Sequence, residues 1–180
     1  MGKNHWLAII VCVPLMALNG CKSPAALGAA DIPAPLQVPP NEALTQRLHA
    51  VGVQIYQCAA ANGDAARFEW ILKAPEAALF DRSGQQIGKH FAGPTWEARD
   101  GSKVVGEVAA RATPDPSAIA WLLLNAKSTS GSGVFGTVRF VQRLRTVGGN
   151  APADGCDQAA AGSEVRVPYS AEYWFYADKS

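Results

Sequence analysis

No run of six like charges, no Cys-x-x-Cys pair and no apolar stretch long enough to cross a bilayer as a helix occurs in this chain. Each absence removes a class of protein. Charge is almost balanced, at 16 basic and 15 acidic residues, and discarding the first twenty positions removes only Lys3, leaving 15 of each. A nucleic-acid binder carries a basic excess or stripe, and none is present. Beyond residue 20 the only histidines are His49 and His90, too few for a multi-histidine copper or zinc centre. No Gly-x-Ser-x-Gly elbow is found, so the sequence signals no hydrolase nucleophile of that kind. No cofactor or metal is expected.

The amino terminus is informative. After Lys3, residues 6–18, "WLAIIVCVPLMAL", run without a charge, which is the length of a secretory apolar region. Pro14 argues against a buried core helix there. "LNGC" at 18–21 resembles the lipobox of bacterial lipoproteins, whose cysteine is lipidated and becomes the first mature residue. Leu18, Gly20 and Cys21 fit, and Asn19 departs from the usual small or aliphatic residue. The resemblance implies a signal peptide over 1–20 and a lipid on Cys21. Lys22, following it, implies the outer membrane by the same family's sorting pattern. Cleavage near Ala30, releasing a soluble periplasmic protein, is the competing reading. Residues 22–40 hold five prolines and few large apolar side chains, and read as an extended tether.

One folded domain is expected over 41–178, since the chain is too short for two comfortable ones. "NEALTQRLHAVG" reads as a short helix capped by Asn41, with Leu44, Leu48 and Val51 on one face and Gly52 at its end. The rest is β. Val51, Val53 and Ile55 alternate with Gly52 and Gln54, and Val138, Phe140 and Leu144 alternate with arginines. Val165, Val167, Tyr169, Ala171, Tyr173 and Phe175 occupy every second place. Pro168 marks an edge or bulge in that last run. "IAWLLL", 119–124, suits a strand covered on both faces. Turn signals at Asn62-Gly63, Ser83-Gly84, Asp100-Gly101 and 128–133 separate the runs. The fold class is therefore mainly β: an antiparallel sandwich or barrel of seven to nine strands with one or two short helices.

Cys12 leaves with the signal peptide and Cys21 is consumed by lipid. Cys58 and Cys156 remain as a single disulfide pair suited to an oxidising compartment.

Residues 90–102, "HFAGPTWEARDGS", collect the groups most able to do chemistry. Asp100-Gly101 predicts a two-residue type I′ turn, which would pair Trp96 with Val105 and Ala98 with Lys103. His90, Trp96 and Glu97 are left as candidate ligand-binding residues. Trp174 joins them, lying opposite Tyr173 and Phe175 on its strand, and the set could take a carbohydrate or small amphipathic ligand. The alternative is a hydrolase-type enzyme using His90 with Glu97 or Asp100 as an acid–base pair. Convergence of His90 with a carboxylate in a pocket would favour it.

Taken in order, "GVQIYQC", "APEAAL", "GKHFAGPTWEARDGSKVVGE", "IAWLLL", "GTVRFVQRLRTVGG" and "VPYSAEYWFYA" resemble the family called domain of unknown function 3455. Its members occur among bacterial exported and fungal secreted proteins. The resemblance runs from about Val38 to Ala177 and implies no activity, because the family has none established. The expectation is an exported, lipid-anchored envelope protein of binding or structural type, attached to the membrane through its N-terminus and facing the periplasm.

Overall fold

A computed structural model describes residues 1–2 and 31–179. The expected signal peptide beyond Gly2, the lipidation site Cys21, and the tether up to residue 30 lie outside the described residues.

Eight strands follow one another: β1 (Glu42–Ala61), β2 (Asp64–Phe80), β3 (Gln86–Phe91), β4 (Thr95–Ala98), β5 (Lys103–Ala112), β6 (Trp121–Ser130), β7 (Phe140–Gly148) and β8 (Glu164–Asp178). Each pairs antiparallel with its neighbours, and β8 returns to β1, so the sheet closes into a barrel. The mainly β expectation holds, and the choice between sandwich and barrel falls to the barrel.

Strand parity decides what fills the lumen. On β8 the alternation is as expected, and Tyr169, Ala171, Tyr173 and Phe175 are buried inside. They meet Trp96, Leu48, Leu79, Val104, Leu124 and Val141 from the other strands. Side chains of this size contribute about 1.5–3 kcal/mol each when fully buried. Loops plug both mouths. Ile119, in the β5–β6 connection, enters one end, held by its N–H to Gly148 O at 2.9 Å. Phe135, in the β6–β7 connection, enters the other and packs on Phe175 with ring centroids 4.6 Å apart.

The outer wall carries the ion pairs Lys73–Glu164, Arg166–Glu76 and Arg139–Asp178. That polarity is the reverse of a membrane-spanning barrel, whose outward positions form an apolar band.

Four expectations are corrected. Residues 41–52 are not a helix: β1 begins at Glu42, and the helical turn nearest to it is a 3-10 turn over Ala34–Leu36. Two-sided pairing with β2 and β8 overrides the helix-forming composition. Strand parity therefore separates Leu48, fully buried, from Val51, half exposed on the outer wall.

The face of β1 is also reversed, since Ala50, Gln54 and Tyr56 point inward rather than Val51 and Val53. In β7, likewise, Val141 and Arg143 face the lumen while Phe140 and Leu144 face out.

The Asp100-Gly101 turn has three loop residues, not two. Ala98 N–H donates to Ser102 O, Gly101 N–H donates to Ala98 O, and only Gly101 takes a left-handed φ, 84°. This is a type I turn closed by a glycine bulge. The extra residue moves the pairing by one, so Trp96 faces Val104 and Thr95 faces Val105.

The tether is not free over its described part. Ile32 and Leu36 are buried against Leu123, Leu144 and Trp174 on the outer wall. Gln142 reinforces the contact, with Nε2 donating to Leu36 O and Oε1 accepting from the Tyr176 hydroxyl. This segment supplies the second cover expected for 119–124: Leu122 and Leu124 face the lumen, and Leu123 lies beneath the chain. Pro168 sits where β8 has lost its β7 neighbour, whose pairing ends at Tyr169. No helix among the described residues is long and apolar enough to cross a membrane.

Candidate functional site

The four residues singled out in the sequence do not share one surface. His90 and Trp96 are cross-strand partners on β3 and β4, so both rings enter the lumen, stacked 4.5 Å apart. Tyr173 closes on both, at 5.0 Å from His90 and 5.3 Å from Trp96. Gly106 makes room for the indole: a Cβ there would lie 2.9 Å from the Trp96 ring. Glu97 follows Trp96 and faces out, between Lys89 at 3.6 Å and Lys103 at 3.4 Å. The barrel wall therefore separates the imidazole from that carboxylate.

Asp100 serves the fold. Its carboxylate accepts from Ser102 N–H, Ser102 Oγ–H and Val134 N–H, which hold it below the usual carboxylate range, the Ser102 hydroxyl most of all. Ser102 Oγ in turn accepts from Phe135 N–H, so this corner pins the loop that carries the Phe135 plug.

His90 donates from Nδ1 to Thr95 O at 2.9 Å. Burial pushes its imidazole down to about 3; the nearby Arg143 charge adds to this and the Thr95 bond opposes it. The ring is thus neutral at any ordinary pH. In the unfolded chain it titrates near 6.5. Below that value the unfolded state takes up a proton that the folded state refuses. Stability is fully present above about 6.5 and falls as pH drops towards 3, by about 1.4 kcal/mol per pH unit mid-window. Urea unfolding of the parent and His90→Gln between neutral and mildly acid pH checks this. The variant should lose that part of the slope, and equal slopes in the two proteins would refute a neutral buried imidazole.

Trp174 leads to a different place. It faces outward on β8, with the Arg47 guanidinium over its ring at 3.8 Å, and it shares an apolar cluster with Ile32 and Leu36 of the N-terminal segment. Arg47 and His49 of β1 pair across to Trp174 and Glu172 of β8. His49 Nδ1 lies 3.3 Å from Glu172. One rim of this cleft is the β2–β3 turn, with Asp81 and Arg82. The other is Arg145, in the β7 bulge between Leu144 and Val147. The cleft encloses about 350 Å³ and continues past Arg47 and Arg82 into a groove of about 490 Å³ along Leu44–Gln46.

Asp81 is consumed by its own turn: Oδ1 accepts from Ser83 N–H, Ser83 Oγ–H and Gln85 N–H, and the Ser83 hydroxyl is the main cause of its lowered pKa. Arg145 has φ 48°, the only left-handed non-glycine among the described residues. Such a conformation costs roughly 1–3 kcal/mol and persists where the surroundings impose it.

The family model described as Protein of unknown function (DUF3455) matches residues 39–177. The chain belongs to this family. No curated protein and no solved structure matches it. The family match covers the whole barrel, from just before β1 to the end of β8, and leaves Ile32 and Leu36 outside it.

Of the sequence candidates, only Trp174 lies at the cleft. Arg47, Arg82 and Arg145 had no signal in the sequence, because three separate hairpins bring them together. Among the described residues no group of three or more His, Cys, Asp or Glu converges as metal ligands.

Proposed function

We propose that the protein is an exported, outer-membrane-anchored envelope protein, lipidated at Cys21 and facing the periplasm, whose barrel is a binding domain. The observation that carries the binding reading is the cleft over Trp174, built on paired strands around a filled lumen. Rigid strands hold a recognition surface more tightly than loops do, and a groove of this volume is in the range of small-ligand sites. Export is supported by the charge-free run at 6–18, by "LNGC" and by the Cys58–Cys156 bond, which belongs to oxidising compartments. Several acyl chains on one terminus give stable attachment where a single chain does not.

Intact-mass analysis of the mature protein recovered from membranes tests the anchor. A lipid mass on Cys21 is the expected result, and an unmodified terminus at Asp31 would overturn it.

A further inference from the structure

We propose that two copies of this protein associate along the open edge of β2, with residues 69–73 of one copy running antiparallel to the same residues of the other about a two-fold axis at Ile71. The inference stands apart from the cleft, which adjoins the other end of β2 at Asp81 and Arg82.

Three observations carry it. First, the edge is bare. β3 pairs with β2 only from Ala77 to Phe80, while β1 pairs with β2 down to Asp64. Over 64–76, β2 therefore has a strand on one side alone, and among the described residues no loop main chain bonds to it. An exposed strand edge is a template for another strand.

Second, this edge carries apolar side chains where other open stretches are blunted. Ile71 and Leu72 are exposed, with Phe68 and Trp70 half-buried beside them. The stretch of β8 that lacks a β7 neighbour ends at Pro168. Beyond its pairing with β7, β6 continues as Lys127, Ser128, Thr129 and Ser130, all polar. On β2, the bulge at Lys73 and then Pro75 close the edge towards the barrel, and the irregular step between Ala60 and Ala61 closes it towards the hairpin tip. What is left is "EWILK", residues 69–73.

Third, this segment is complementary to its own reverse. Glu69, Ile71 and Lys73 lie on the outer face: Glu69 and Ile71 pair with Ala59 and Gln57, and Lys73 meets Glu164, which faces Gln57 from β8. Trp70 and Leu72, opposite Cys58 and Tyr56, lie on the other face. A two-fold axis perpendicular to the sheet at Ile71 keeps each face on its own side. It sets Glu69 opposite Lys73, Trp70 opposite Leu72 and Ile71 opposite itself. Opposite charges and aromatic–aliphatic neighbours are favourable cross-strand pairs. The intrachain pairs Arg67–Glu69 and Lys73–Glu164 extend the row, so the charges alternate in sign from Arg67 of one copy to Glu164 of the other. Moving the axis to Trp70 would instead set Arg67 against Lys73, two like charges. A two-fold contact between identical patches closes on itself and does not propagate.

Native mass spectrometry of the mature full-length protein, released from detergent micelles, tests this. A dimer is expected in the parent. Glu69→Lys and Lys73→Glu should each weaken it at least ten-fold, since each sets like charges at both symmetry-related positions. Mixing the two variants should restore a dimer holding one copy of each, because every facing pair is then opposite in sign. A fold merely damaged by either change would not recover on mixing. Ile71→Cys should cross-link to its own copy under oxidised glutathione, whereas the parent and Val108→Cys, exposed on β5, should not.

A parent that stays monomeric at every concentration overturns the self-pairing. A dimer indifferent to both charge reversals, or one cross-linked through Val108→Cys and not through Ile71→Cys, overturns the β2 edge as its seat.

Discussion

Replacing Trp96 with alanine is expected to lower the unfolding free energy by about 3–5 kcal/mol. The indole is 1% exposed and meets His90, Tyr173 and Phe175 at ring distances of 4.5, 5.3 and 6.0 Å. Its removal strips the lumen of its largest fully buried side chain. The barrel cannot contract into the void, because its circumference is fixed by hydrogen bonds between all eight strands. His90 would also lose the ring it stacks on. Trp96→Phe should cost distinctly less, since it leaves a smaller void. Urea denaturation of both variants measures the difference. A loss below about 1 kcal/mol for alanine would show that the lumen collapses readily, contrary to close packing.

The second large effect belongs to the disulfide. Cys58, fully buried near the end of β1, bonds to Cys156 in the long β7–β8 connection, 98 positions away. Closing a loop of that length is worth about 4–5 kcal/mol in the chain-entropy model, and removal of such bonds from small exported domains costs 2–5. The double substitution Cys58→Ala/Cys156→Ala avoids leaving a lone thiol. The connection has other anchors: Trp70 Nε1–H donates to Asp154 O, Cys58 N–H to Ser163 O, and Gly162 N–H to Cys58 O. The loss should therefore appear in global unfolding rather than as a detached loop. An unchanged urea midpoint, with or without reductant, would remove the bond from the stability of the fold.

The last strand was legible in the sequence because its large rings and its parity agree: every second residue from Tyr169 to Phe175 is inside. The disulfide was legible because Cys58 and Cys156 are the two cysteines that lie beyond the N-terminal segment. The first strand misled for a physical reason. A narrow lumen already occupied by Trp96, Tyr173 and Phe175 leaves room for small residues on the facing wall, so β1 turns Ala50 and Gly52 inward, opposite Ala171 and Ala77 in neighbouring strands. Its valines go to the outside, where alternation alone would not put them. The hairpin at 100–101 was recognised but placed one residue out of register, because Asp-Gly serves both a two-residue turn and a glycine bulge. His90 and Glu97 looked like partners in one dimension, yet odd spacing along the meander sends them to opposite sides of the wall. The cleft was invisible for the complementary reason, since Arg47, Arg82 and Arg145 are neighbours only once the barrel has closed.

The seam between β1 and β8 dictates when this fold can exist. Glu42 pairs with Asp178 and Gln57 with Glu164, so the ring is sealed by the earliest and latest strands of the barrel. A nascent or threading polypeptide holds only open hairpins until its final segment is free, and distant pairings of this type form slowly. Such a chain stays pliable until its last strand is available and becomes rigid only when β8 docks on β1.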